Sequence, residues 1–146
     1  MTTSTSIRIG YVTRIERFSA AHRLNSVHLS AAENIALYGK CNHTSGHGHN
    51  YKVEVTIKGQ INPISGMVIN ITDLKKTLQT AVMDPCDHRN LDIDVPYFHS
   101  TPSTTENLAV FLWESINKHL PHSETYELHE LKVYETDKNI VVYRGE

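Results

Sequence analysis

The chain has 146 residues, enough for one domain with a core of its own, and 14 Lys plus Arg against 16 Asp plus Glu leave a formal charge of −2. That balance gives no global positive field to draw in nucleic acid or an anionic membrane, and no stretch reaches the roughly 18 apolar residues of a membrane span. Two cysteines, Cys41 and Cys86, make no disulfide framework, so the expected setting is a reducing, cytoplasmic one, for a protein that is soluble and not exported.

No repeat, linker or low-complexity segment divides the chain, so residues 1–146 read as a single domain with residues 1–8 as a flexible tail. The first predicted element is a strand over residues 7–18. Ile7, Ile9 and Tyr11 alternate on one phase and Val12 and Phe18 on the other, which predicts a bulge. A connection of roughly 25 to 30 residues follows, longer than an ordinary hairpin and of the kind that carries function. It contains Cys41-Asn-His-Thr-Ser-Gly-His47-Gly-His49. Then Tyr51, Val53, Val55 and Ile57 alternate with Lys52, Glu54, Thr56 and Lys58, the pattern of a strand with one buried face.

Beyond the turn at Asn62-Pro63 and Gly66, a helix is predicted from Thr72, with Leu74, Leu78, Ala81 and Val82 on one face and Pro85 as its stop. Ser103-Thr-Thr-Glu106 spells a capping box for a second helix carrying Leu108, Ala109, Leu112, Ile116 and Leu120 as far as Pro121. The period then returns to two. Leu131, Val133 and Glu135 share a strand face, and Ile140-Val-Val-Tyr143 closes a hairpin across Asp137-Lys-Asn139. The order ββααββ implies an α+β fold, a four-stranded antiparallel sheet with two helices on one face and outer strands that need partners.

His47 and His49 stand two apart, so in a strand they point the same way, with Gly48 leaving room between them. A catalytic zinc ion takes three protein ligands and keeps one position open. His22, just past the first strand, would be brought near His49 by hairpin-like pairing and is preferred to His43 as the third ligand. On pattern alone, a polar strand end accounts for His-x-His equally well.

FSAAHRL at 18–24, YGKCNHTSGHGHNYKVEV at 38–55, GMVINITDLK at 66–75, DHRNLD at 87–92, VPYF at 95–98, STTEN at 103–107 and VYETDKNIVVYRGE at 133–146 together resemble the 6-pyruvoyl-tetrahydropterin synthases of animal type. The resemblance covers the chain past about residue 10. It implies the tunnelling fold, in which trimers of ββααββ units close a 12-stranded barrel and stack in pairs as homohexamers. It also implies a zinc-dependent lyase that converts 7,8-dihydroneopterin triphosphate to 6-pyruvoyl-tetrahydropterin and triphosphate in tetrahydrobiopterin biosynthesis. The zinc ligands would be His22, His47 and His49; Cys41 would abstract a proton as thiolate; Asp87 and His88 would act as a charge-relay pair from a neighbouring subunit.

Glu135 fits as the pterin anchor, since a carboxylate can accept two parallel donors from an amino group and the adjacent ring N–H. Thr104 and Thr105 would touch the pterin, while Arg23 and Lys40 are the candidates for the triphosphate. Neither G-x-G-x-x-G nor G-x-x-x-x-G-K-[ST] occurs, so no nicotinamide or nucleotide site is expected. Two rivals stand beside this reading. The 6-carboxy-tetrahydropterin synthases carry their cysteine four residues before His-Gly-His, whereas Cys41 precedes His47 by six. A structural zinc module would instead use Cys41 as a fourth ligand.

Overall fold

The computed structural model describes residues 6–146. Strand β1, Ile9–His22, and strand β2, His47–Gln60, pair antiparallel in unbroken register from Ile9↔Gln60 to His22↔His47. Strand β4, Tyr126–Tyr134, adds to β2, and β5, Ile140–Tyr143, adds to β4. Most of the expected tail lies outside the described residues. Where it is described it is already held, the Arg8 carbonyl accepting from the Ile61 N–H at 2.8 Å.

The expected four-stranded antiparallel sheet requires correction. A two-residue strand β3, Arg89–Asn90, pairs parallel to Ala20 and Ala21, which makes the sheet mixed and five-stranded in the order β3-β1-β2-β4-β5. The bulge also moves. The two phases of β1 are its two faces: Phe18, Ala20 and His22 are buried, while Ile9, Tyr11 and Ile15 are exposed. The register slips instead between Thr56 and Ile57, where His129 of β4 is the unmatched residue.

The helices are more numerous than the two expected. Helix α1, Ala31–Tyr38, and a 3₁₀ turn, Gly39–Asn42, lie within the β1–β2 connection. Helix α2, Ile71–Leu78, opens into one π turn at Gln79–Met83 and continues as α3, Asp84–Cys86. Pro85 therefore does not stop the helix. Its ring has no N–H for the Ala81 carbonyl one α-turn back, and that carbonyl takes the Ser115 hydroxyl at 2.7 Å. A short α4, Leu91–Asp94, precedes α5, Thr105–His119. The N-cap of α5 is Thr104, whose hydroxyl accepts from the Asn107 N–H at 3.2 Å, and Ser103 is released for another use.

The core forms between the sheet and the long helices. Tyr51, Val53, Val55, Ile57, Leu131 and Val133 are buried on the sheet side, and Leu74, Leu78, Leu108, Leu112 and Ile116 meet them. Burial of each such side chain contributes about 1.5–3 kcal/mol, which fixes the sheet end that carries the histidines.

Candidate active site

The inward phase of β1 and β2 that begins in the core ends in polar residues. On β2 it runs outward from Val53 to Tyr51, His49 and His47; on β1 it ends at His22, paired with His47. The three imidazoles therefore meet edge-on at one end of one sheet face, with ring centroids 4.6 Å apart for His22 and His47, 5.1 Å for His22 and His49, and 4.9 Å for His47 and His49. One ligating nitrogen from each lies within 4.8 Å of the others.

The protonation pattern suits a cation. His22 is buried, and its Nδ1–H donates to the Ser103 carbonyl at 2.7 Å, which leaves Nε2 as a lone-pair nitrogen. Among the described residues neither Nε2 of His22 nor Nε2 of His49 has a hydrogen-bond partner, although both are buried. Burial holds both rings below the ordinary imidazole value of 6.5. The Ser103 carbonyl opposes this for His22 and the Glu135 carboxylate for His49, while neighbouring histidines reinforce it. Neutral rings with orphaned inward nitrogens are what a divalent metal ion requires. Among the described residues the converging ligand atoms are those of His22, His47 and His49, and Cys41 Sγ is not one of them.

Glu135 borders the cluster, with Oε1 3.8 Å from His49 Nε2. Its Oε2 accepts the Thr105 hydroxyl at 2.6 Å. Thr104 is committed to capping α5. The Tyr51 hydroxyl, buried behind His49, has no hydrogen-bond partner among the described residues, and desolvation raises its pKa far above the ordinary phenol value.

Asp87 and His88 stand at the outer edge of β1. Asp87 Oδ1 accepts from the Ser19 N–H at 3.1 Å, the His88 N–H donates to the Ser19 carbonyl at 2.7 Å, and His88 Nδ1 lies 3.0 Å from Asp87 Oδ2. The Ser19 N–H in the first place, and the adjacent imidazole, hold the Asp87 carboxyl below its usual range. His88 adopts φ 60° and stays largely exposed, facing a cleft of about 430 Å³ that it shares with Gly48 and His49. Among the described residues, Cys41 makes no hydrogen bond to either member of this pair.

Cys41 is half-buried and hangs on the chain just past His22: the Leu24 N–H donates to the Cys41 carbonyl at 2.9 Å. Arg23, a candidate for the triphosphate, spends its Nε–H on the Asn42 carbonyl at 2.7 Å. Asp92, to which the sequence reading gave no role, and Ser103, which it read only as a helix cap, support this region. The Ser103 hydroxyl donates to Asp92 Oδ1 at 2.6 Å and the Arg23 N–H to Asp92 Oδ2 at 2.7 Å. The signal that could have found Asp92 is its place in DHRNLD, one carboxylate at each end of six residues.

Comparison with known proteins shows which family the chain resembles. A family model described as 6-pyruvoyl tetrahydropterin synthase matches residues 11–146. The chain is 60% identical over 139 residues to the 6-pyruvoyl tetrahydrobiopterin synthase of Poecilia reticulata, covering 95% of this chain and 92% of that one. It is 57% identical over 135 residues to the Homo sapiens 6-pyruvoyl tetrahydrobiopterin synthase, covering 92% and 91%. The solved Caenorhabditis elegans 6-pyruvoyl tetrahydropterin synthase superposes with a TM-score of 0.92 at 42% identity, over 98% of this chain and 100% of that one.

Proposed function

The chain belongs to the 6-pyruvoyl tetrahydropterin synthase family, and from that premise we infer that it is the lyase that converts 7,8-dihydroneopterin triphosphate to 6-pyruvoyl-tetrahydropterin with release of triphosphate, in tetrahydrobiopterin biosynthesis. The observation that carries the chemistry is the convergence of three imidazoles, two of which, His22 and His49, keep a buried Nε2 with no hydrogen-bond partner among the described residues, with a carboxylate beside them.

His22, His47 and His49 would hold one zinc ion, which would supply Lewis acidity that makes protons on the hydroxyl-bearing carbons of the substrate side chain easier to remove. Glu135 receives the pterin amino group and ring N–H, and the Thr105 hydroxyl fixes the orientation of that carboxylate. Thr104 acts on the same end of the substrate by capping the helix that presents Thr105. Cys41, as thiolate, takes the proton. Asp87 and His88 of a neighbouring subunit assist it, which agrees with their place on an exposed edge. The ring is reduced as the side chain is oxidised, so no external oxidant enters.

The active form is a homohexamer, a pair of trimers that each close a barrel of the tunnelling fold. The support is the row of open backbone groups along β1 and β5. A cytoplasmic location is supported by two cysteines that both remain free. Among the described residues no helix is long and apolar enough to cross a membrane. The test is to supply purified protein with 7,8-dihydroneopterin triphosphate and follow triphosphate and pterin products. Release of triphosphate with 6-pyruvoyl-tetrahydropterin is expected. A 6-carboxy-tetrahydropterin product would overturn the assignment in favour of the related synthases.

A further inference from the structure

Asp92 has both carboxylate oxygens engaged, and each leads to a different part of the site. Through Oδ1 it accepts the hydroxyl of Ser103, a fully buried residue whose carbonyl receives His22 Nδ1–H. Through Oδ2 it accepts the Arg23 N–H, at the point where the chain leaves β1. From there the Arg23 Nε–H reaches the Asn42 carbonyl, and the Asn42 side-chain amide donates back to the Leu24 carbonyl at 2.7 Å. The Leu24 N–H closes the set on the Cys41 carbonyl.

Asp92 is itself fixed. Its N–H donates to Asn90 Oδ1 at 3.0 Å, and Asn90 pairs with Ala21, the residue before His22. Charge-assisted bonds of this kind are about twice as strong as neutral ones.

We propose that Asp92 is a positioning residue that anchors the metal ligand His22 through Ser103 and the Cys41 loop through Arg23 and Asn42, so that one carboxylate sets the place of ligand and base together. This rests on the reading of His22 as a zinc ligand and Cys41 as the base. Outer partners of metal ligands typically alter metal affinity roughly 10- to 100-fold when removed.

The test uses full-length, zinc-loaded protein and two readouts other than turnover: the rate of zinc loss to a chelator, and the rate of Cys41 alkylation by iodoacetamide. Cys86 does not interfere, because it is fully buried and burial pushes its thiol up to about 12. Asp92→Asn should lose zinc roughly 10- to 100-fold faster and change the alkylation rate several-fold. Ser103→Ala should move the zinc rate alone and Asn42→Ala the alkylation rate alone. These single-arm variants also decide the matter if Asp92→Asn does not fold. A folded Asp92→Asn protein with wild-type values in both readouts overturns the proposal, as do single-arm variants that each move both readouts equally. Failure of the underlying reading shows elsewhere, as zinc retained by His22→Ala or wild-type turnover by Cys41→Ala.

Discussion

His22 has one nitrogen committed to a carbonyl and one free, and both facts have consequences in solution. Because burial holds His22 and His49 below 6.5, the unfolded chain takes up protons on these rings at higher pH than the folded chain does. For metal-free protein their stabilisation is complete above about pH 6.5, falls as pH drops through the depressed folded-state values, and changes no further once both states are protonated. Melts of the metal-stripped protein should show Tm falling as pH drops below about 6.5, with a smaller fall in His22→Gln. An equal fall in both would contradict this. The Cys41 thiol separates binding from chemistry. Cys41→Ala should keep its zinc, its Tm and its pterin affinity but lose turnover by roughly 10²- to 10⁴-fold, the usual worth of a general base. Loss of zinc together with Tm would instead mark Cys41 as a ligand. At Glu135 the Thr105 hydroxyl is a charge-assisted donor, so Thr105→Val should weaken pterin binding through carboxylate disorder, and Glu135→Gln should weaken it more, by roughly 10- to 100-fold on the 1.5–3 kcal/mol scale of bonds to charged groups. Pterin affinity by fluorescence titration reads both.

At the scale of elements, the helix ends show how local rules are decided by tertiary demand. Ser103-Thr-Thr-Glu106 reads as a capping box, yet His22 and Asp92 take Ser103, and the cap passes to Thr104. The same pattern at Ser30-Ala-Ala-Glu33 does form the box, with the Glu33 N–H donating to Ser30 Oγ at 3.1 Å and the Ser30 N–H to Glu33 Oε1 at 2.9 Å. That helix escaped a reading based on apolar periodicity because it has no buried apolar stripe: only Asn34 is buried, while Ile35 and Leu37 are exposed. The histidine positions were legible because period two, once the strand phase is known, fixes which residues share a face. The anchors Asp92 and Ser103 were not, because nothing local says which carbonyl a buried ring will choose. Pro85 was misread for a related reason, since a hydroxyl from α5 supplies the donor that proline lacks. Ser115→Ala should therefore leave the Ala81 carbonyl without that donor and cost about 1–3 kcal/mol, seen as a lower midpoint in chemical denaturation with metal content unchanged. An unchanged midpoint would refute it. Gly46 is the corresponding backbone constraint near the site: at φ 71° an added Cβ would stand 2.9 Å from the His22 carbonyl oxygen, so Gly46→Ala should destabilise both the turn and the metal site.

For the whole molecule, the question is how a site distributed over one sheet end becomes complete. Within one chain, Cys41 and the Asp87–His88 pair make no mutual hydrogen bond, and the pair faces outward from an edge. Among the described residues both sheet edges expose backbone groups, since β3 covers β1 only at Ala20 and Ala21 and no strand pairs with the outer side of β5. Joining those edges between subunits would satisfy the open groups and bring one subunit's pair to another's thiol. The ladder geometry allows a specific test. The Glu135 N–H donates to the Asn139 carbonyl, and bonded and open pairs alternate along an antiparallel ladder. Val133↔Val141 and Leu131↔Tyr143 are then bonded pairs, and the N–H groups of Ile140 and Val142 point away from β4. Proline at position 142 costs no bond within its own hairpin but removes a donor from the free edge and places a ring where a neighbouring strand would lie. Val142→Pro should therefore remain folded and retain zinc, yet run as a monomer or a loosened assembly in light scattering and lose most of its turnover. A Val142→Pro protein that is still hexameric would refute the use of this edge, and a monomer with full turnover would show that one chain holds the complete site.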